Sequence, residues 1–548
     1  MRRLSSVLRS LPLLLLALVL MLPVLAVLGS WLPVGQGDAL AGSILREMAA
    51  TVLPGYLWTT VWLGLLVALG AAIVGTGTAA AVTLFDFRGR RQLEWLLLLP
   101  LAMPAYVTAY AYTDFLQFSG PLQTWLRDTY GLEGRLLPEV RSLGGAVWVF
   151  IFSLYPYVYL LARTALGERA AHLMEAARLM GAPLSRRIWS VALPLARPAV
   201  AAGVALVVME TLADFGVVSY FGIQTFTTGI YKAWLSMDNR IAAAQLATFL
   251  LVLVVLLLQL ELRAQRRMRF VTGGAGRAGS AEAQPLRLRG WRCALAWLVC
   301  LLPVLMGFVA PVFFMLRPLA ADWSVLPWDR FLDWALNSVR LGAITSVLAV
   351  IIAVALAFAV RRHKESAVTR GVVQLASLGY AVPGAVVVVG LLLPVGWVQQ
   401  VRPEWGFAGL VTATAVGIVW AYLVRFCAVA LQSMQSGYAR IAPSLDDSAR
   451  MLGTGAWGVL SRVHWPLLRR STAAAALLVF VDVMKELPAT MVLRPFNSDT
   501  LAVVAYQLAR DERLGEAALP SLALVLVGLI PVIMLSCTLR AERPGTAR

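Results

Sequence analysis

Stretches of about twenty mostly apolar residues recur from one end of this chain to the other, and no other feature limits the fold as strongly. Roughly 20 such residues are what a helix needs to cross a hydrocarbon core of about 30 Å. The runs predict spans at 11–31, 58–84, 93–118, 144–166, 196–221, 241–262, 291–316, 337–360, 371–392, 406–430, 470–494 and 518–538. With 60% of the 548 residues hydrophobic and 14% charged, apolar surface is too abundant for a water-soluble fold. The expected class is an all-α integral membrane protein of about 12 transmembrane helices.

A net charge of +18 raises the question of nucleic acid, but a nucleic-acid binder gathers its basic residues on one face or arm. Here they alternate with the spans. Arg88, Arg90 and Arg91, then Arg178, Arg186 and Arg187, then the stretch from Arg263 to Arg292 mark the inside loops of the first half. Arg361, Arg362, Lys364 and Arg370, then Arg440, Arg450 and Arg462, then Arg540, Arg543 and Arg548 repeat the pattern in the second. Loop 32–57 carries only Arg46, while 119–143 departs from the pattern with Arg127, Arg135 and Arg141. By the positive-inside rule both termini are cytoplasmic. The run after Arg2, Arg3 and Arg9 is long for a cleaved leader and reads as a retained first span.

Cys293, Cys300, Cys427 and Cys537 all lie in or beside apolar runs without C-x-x-C spacing, which argues against a disulfide framework or a zinc site. His172, His363 and His464 fall in loops assigned to the inside, so this topology leaves no histidine metal site on the outer face.

Residues 270–285, FVTGGAGRAGSAEAQP, lack apolar periodicity and read as a flexible linker between two copies of a six-span unit. An even span count inserts both copies in the same orientation, so the six-helix repeats are parallel. Thr60-Val61-Trp62-Leu63-Gly64 parallels Ser338-Val339-Arg340-Leu341-Gly342, and Pro104 parallels Pro383. The organisation expected is an N-terminal span and outer loop (1–57), a first transmembrane domain (58–262), a cytoplasmic linker (263–290), a seventh span with its outer loop (291–336) and a second transmembrane domain (337–540).

The strongest motif also occurs twice. Glu175-Ala176-Ala177 is followed by three residues, Gly181, nine residues, and Val191-Ala192-Leu193-Pro194. Asp447-Ser448-Ala449, Gly453 and Val463-His464-Trp465-Pro466 repeat the spacing without a gap. Each loop predicts two short helices with a sharp corner, where Gly181 or Gly453 takes the left-handed conformation that ends the first helix. Pro183 suits the first turn of the second helix, and Ser444 with Asp447 has capping-box-like spacing. Amphipathic surface helices are common in membrane proteins, but a motif of several positions repeated at equivalent places points to function.

This loop resembles EAA-x-x-x-G-x9-I-x-L-P, the signature of permease subunits of type I binding-protein-dependent ABC importers of the bacterial inner membrane. The resemblance implies that Glu175, Ala176, Ala177, Gly181, Leu193 and Pro194, with Asp447, Ala449, Gly453 and Pro466, couple the permease to a cytoplasmic dimer of ABC ATPases. It also implies a periplasmic substrate-binding protein, no nucleic-acid partner, and no cofactor on this chain, with ATP and Mg held by the ATPase. Val191 and Val463 replace Ile, Asp447-Ser448 replaces Glu-Ala, and Trp465 replaces Leu. Segments 104–120, 210–234 and 485–520, with the fused duplication, are similar to ferric-iron permeases. Thiamine, an aminophosphonate or a polyamine are the other cargoes this class offers. An ion-coupled carrier or a passive channel would need no ATPase.

Asp114, Glu210, Asp214, Asp482, Lys485 and Glu486 fall within predicted spans, where an isolated charge costs roughly 2.5–3.5 kcal/mol. They are candidates for the translocation path or gate. Aligning the repeats pairs Asp214 with Glu486 and Glu210 with Asp482. A structural or gating role is favoured over direct metal ligation, and no metal site is assigned. The chain has no G-x-x-x-x-G-K-[ST], and its lysines, Lys232, Lys364 and Lys485, follow no glycine loop, so it is not expected to hydrolyse ATP.

Overall fold

A computed structural model describes residues 2–31, 38–167, 171–272, 286–321, 323, 326–362 and 367–541. The linker residues 273–285, His363, Lys364, Arg543 and Arg548 lie outside them, as do the side chains of His172, Glu175 and Cys537. Among the described residues the regular structure is helical apart from one short parallel strand pair, Phe85–Asp86 with Leu286–Arg287.

Among the described residues, ten helices are long and apolar enough to span a membrane, and a bent pair, Arg90–Ala102 with Ala105–Tyr130, makes an eleventh candidate. The fold is the expected all-α membrane class. The remaining predicted span is helix Trp465–Lys485, whose Arg469, Arg470, Asp482 and Lys485 leave too short an apolar stretch.

Several predicted spans are broken rather than straight. The third bends by 89° at Pro104, and the ninth breaks at Pro383, each proline being extended after a 3-10 turn. Proline lacks the amide proton a helix needs and disfavours helical geometry in the residue before it. The fifth breaks at Asp214 and the eleventh at Glu486, both in extended conformation.

The chain forms two compact units, each drawing on both halves of the sequence: 51–228 with 252–327 and 505–548, and 1–50 with 229–251 and 328–504. In the first, helix Leu143–Ala165 packs against Leu53–Leu84 and Leu193–Ala213. Small residues allow the approach. A Cβ at Gly75 would lie 2.6 Å from the Val158 Cβ, and one at Gly203 2.7 Å from the Val158 Cα. Helix Leu53–Leu84 turns Leu63, Val67, Ala71 and Gly75 inward at four-residue spacing, while Leu65, Leu69 and Ile73 stay exposed, as a lipid-facing stripe requires.

Helices from the second half complete this unit. Tyr112 donates a hydrogen bond to the Met306 carbonyl at 2.7 Å, and Trp297 donates to the Arg88 carbonyl at 2.9 Å. Helix Leu514–Ala541 packs on Ala310–Ala321 and on the 3-10 turn Leu99–Ala102.

The other unit repeats the plan around helices Trp328–Arg362, Ala415–Ala439 and Trp465–Lys485. Here the first half supplies helix Arg2–Gly29, which packs on Ala367–Leu378 and Gly384–Val401. Gly390 accepts the Pro23 backbone where any Cβ would collide, and Trp420 donates to the Val19 carbonyl at 2.9 Å.

Candidate functional site

The two matching loops fold into matching corners. Helix Ala171–Leu179 ends at Gly181, whose φ is +78°, and helix Pro443–Met451 ends at Gly453, at +76°. In the first, the Ala182 N–H donates to the Ala177 carbonyl and the Gly181 N–H to the Arg178 carbonyl, both at 3.0 Å. In the second, Thr454 donates to Ala449 at 3.0 Å and Gly453 to Arg450 at 2.9 Å. This pair of bonds is the Schellman motif, which satisfies the last carbonyls of a helix only if the chain turns left-handed.

Past each corner a short helix, Leu184–Arg187 or Ala456–Gly458, leads through a π-helical turn into the next long helix. Pro183 caps its short helix from just outside the first turn, one position earlier than expected. Leu193 and Pro194 open helix Leu193–Ala213, and Pro466 is the second residue of Trp465–Lys485. Each proline withholds a donor from a carbonyl of the preceding turn, a place where π geometry is at home.

The corners carry exposed apolar tips. Leu179 and Met180 are 85% and 80% exposed, and Met451 and Leu452, at the same positions of the second copy, 88% and 84%. Ala177 and Ala449 face inward and are buried, while Ala176 is exposed. Asp447 is exposed and reaches Arg450 at 3.7 Å, a contact of little energetic weight in water. The tips escaped the sequence reading, although an apolar doublet just ahead of the corner glycine in both copies was a signal for them.

A buried network behind the second corner also escaped it. The Arg361 guanidinium donates to both Asp446 oxygens, from Nε at 2.8 Å and Nη2 at 3.2 Å, and to the Ala442 carbonyl at 3.1 Å. His464 Nε2 lies 2.9 Å from Asp446 Oδ1, and its Nδ1 lies 3.3 Å from the Tyr438 hydroxyl. Burial alone would raise the Asp446 pKa, but hydrogen bonds from Arg361 and His464 outweigh it and hold the carboxyl at about 2. The stability this gives is complete above the ordinary aspartate range and is lost only as pH falls through that value. Arg361, Asp446 and His464 border a cleft of about 370 Å³ shared with Phe358, Arg362 and Arg450.

Two of the intramembrane acids act as helix caps. Asp214 Oδ1 accepts the Val217 N–H at 2.9 Å and so starts helix Gly216–Tyr220 after the break. Glu486 does the same for helix Pro488–Leu493: its carboxylate accepts N–H groups from Ala489 at 2.9 Å and Thr490 at 3.0 Å, and the Thr490 hydroxyl at 2.7 Å. Arg425 adds an ion pair to Glu486 at 2.8 Å. At the corresponding place in the first repeat stands Ser153, whose buried hydroxyl has no partner among the described residues.

Glu210 acts electrostatically on Asp214, and Asp482 on Lys485. Asp114 meets Arg317 at 3.4 Å. Asp114, Glu210 and Asp214 thus belong to one unit and Asp482, Lys485 and Glu486 to the other. Among the described residues, no three His, Cys, Asp or Glu side chains converge as a metal-binding set.

Two lobes of membrane helices built on one plan, each carrying the same exposed corner, define a duplicated multi-pass membrane permease. The chain belongs to the family of binding-protein-dependent transport system inner membrane components, which residues 71–270 match. A molybdenum ABC transporter permease, so named as probable, from Haloferax volcanii is 30% identical over 41% of this chain and 78% of its own. The Fe(3+)-transport system permease protein FbpB 2 of Haemophilus influenzae is 25% identical over 87% of this chain and 89% of its own. The ABC transporter permease y4fN of Sinorhizobium fredii, likewise named as probable, is 25% identical over 90% and 88%. This is a multi-pass inner-membrane protein, and its relatives are transport permeases rather than enzymes.

Proposed function

We propose that this chain is the two-lobed transmembrane permease of an ATP-driven importer that passes ferric iron from a periplasmic binding protein to the cytoplasm. The observation that carries the importer reading is the pair of Schellman corners with exposed apolar tips, repeated at the same place in both copies. A rigid convex knob with an apolar tip suits insertion into a cleft on another protein, where desolvated anchors supply most of the binding energy. The partner is a dimer of ABC ATPases that holds ATP and Mg, one subunit to each corner, on the cytoplasmic side where both termini also lie. Closing of the dimer on ATP moves the corners, the lobes open toward the docked binding protein, and hydrolysis resets them inward. Gly181 and Gly453 keep each corner stiff, and Leu193, Pro194 and Pro466 pass its motion to the long helices.

Iron as cargo is supported by the Haemophilus relative, which shares the fused length and is named for Fe(3+) transport. Asp114, Glu210, Asp214, Asp482, Lys485 and Glu486 belong to the path or gate, where Asp214 and Glu486 fix the broken helices, and cargo selection rests with the binding protein.

The test is uptake of radiolabelled ferric iron by iron-starved cells with and without the gene, with radiolabelled thiamine in parallel. Iron uptake that falls on deletion while thiamine uptake holds supports the assignment. Unchanged iron uptake sends the cargo back to the other substrates of this importer class.

A further inference from the structure

The charged residues of the buried network behind the second corner are replaced by uncharged ones at the aligned positions of the first. By the Thr60/Ser338 register and the matching loops, Arg361, Asp446 and His464 correspond to Thr83, Met174 and Ala192, which cannot form ion pairs. Thr83 keeps a buried hydroxyl without a partner among the described residues, and Met174 and Ala192 are buried.

Asp446 stands next to Asp447, the residue matching the motif's first acid, yet the two face opposite ways. Asp447 is exposed, while Asp446 is 5% exposed and enclosed by its partners. Those partners, Arg361 and His464, with Tyr438 behind His464, come from three directions. Arg361 ends helix Trp328–Arg362, His464 ends the π turn leading into Trp465–Lys485, and Tyr438 closes helix Ala415–Ala439. One carboxylate therefore ties the short corner helix to two long helices of its lobe directly, and to the third through the His464 imidazole.

We propose that Asp446 is a positioning residue for energy coupling, the joint through which the second corner transmits its displacement to the lobe. This rests on the importer reading above. A carboxylate held by a bidentate guanidinium and an imidazole has a fixed direction, so tilting the corner helix pulls on Arg361 and His464 instead of being absorbed by side-chain rotation. An apolar joint can slip.

The two repeats supply the test, because the first shows which residues fill the same place without charge. Replacing a buried ion pair by apolar residues is often neutral for stability, whereas removing one partner is strongly destabilising. The triple variant Arg361→Thr, Asp446→Met, His464→Ala should therefore fold, even if Asp446→Asn alone does not. Each permease is purified with its ATPase and binding protein, reconstituted into proteoliposomes, and assayed for thermal midpoint, ATP hydrolysis and iron taken up per ATP hydrolysed.

The triple variant is expected to keep its midpoint and ATP hydrolysis while uptake per ATP drops roughly tenfold, within the range usual for coupling between sites. Asp446→Glu, which can still meet Arg361, should recover much of the ratio. Wild-type uptake per ATP in the triple variant overturns the proposal. So does a ratio that falls only together with the midpoint, which would make the network structural. A wild-type complex without ATP-driven iron uptake would count against the iron-importer reading above and not against the joint itself.

Discussion

Gly181 and Gly453 stand in open space, so a side chain added at either would meet no neighbour and only the backbone resists it. At φ values of +78° and +76° an ordinary L residue costs about 1–2 kcal/mol. Asparagine tolerates this region best, so Gly453→Asn should leave the thermal midpoint nearly unchanged and Gly453→Val should lower it. Proline cannot adopt the angle and lacks the N–H that Gly181 gives Arg178 and Gly453 gives Arg450. The pair Gly181→Pro and Gly453→Pro should therefore abolish co-purification of the ATPase, and intact co-purification would sink the docking assignment. The tips offer a complementary measurement. Met180→Asp with Leu452→Asp alters side chains that are at least 80% exposed, so stability should stay within about 0.5 kcal/mol. ATPase affinity, read by titration in detergent, should fall at least tenfold, the loss of an interface anchor. The corner glycines were legible from their spacing because a left-handed helix end has a sequence signature. Asp446 was not, since its carboxylate meets partners 85 and 18 positions away and neighbours the motif residue that draws attention.

Between residue and molecule stand the broken helices, where periodicity misleads. The apolar run continues across Asp214 and Glu486, so a window of about 20 residues reads one span where there is a helix, an extended residue and a second short helix. Only side chains that cap the second helix betray the break. The breaks at Pro104 and Pro383 were half legible, as a shared register without a predicted bend. Because the two acids cap alike but only Glu486 has an arginine, the repeats should respond unequally. Glu486→Gln strands the Arg425 guanidinium in a buried place, and breaking a buried pair costs about 3–5 kcal/mol. Asp214→Asn keeps a good capping side chain and loses no ion pair, so its cost should stay near that of one hydrogen bond, about 0.5–1.5 kcal/mol. Thermal unfolding in nanodiscs would separate the two, and equal midpoints would contradict the weight given to the Arg425–Glu486 pair.

At the scale of the whole chain, duplication was readable from the doubled loop, but the sharing of helices between halves was not. A span apolar all round gives no sign of which lobe it will cover. The first half sends helix Arg2–Gly29 to cover Ala367–Leu378 and Gly384–Val401, and Gly390 is shaped to the Pro23 backbone. The second half returns Trp291–Val304, Ala310–Ala321 and Leu514–Ala541, with Trp297 on Arg88, Met306 on Tyr112 and Arg317 on Asp114. Neither half can bury its own polar and small-residue faces alone: without Arg317, Asp114 would face lipid or water unpaired at a cost of several kcal/mol if held in the membrane. Covalent continuity through 273–285 is dispensable to those contacts, since none of them uses it. A chain severed there and expressed as two polypeptides should assemble and restore iron uptake to at least half the intact level, whereas each half alone should be degraded. Immunoblots of membranes carrying one or both halves, with uptake in the same cells, decide the matter. Stable accumulation of a lone half would mean that the exchanged helices are peripheral, and failure of the pair to assemble would mean that the linker itself brings the halves together.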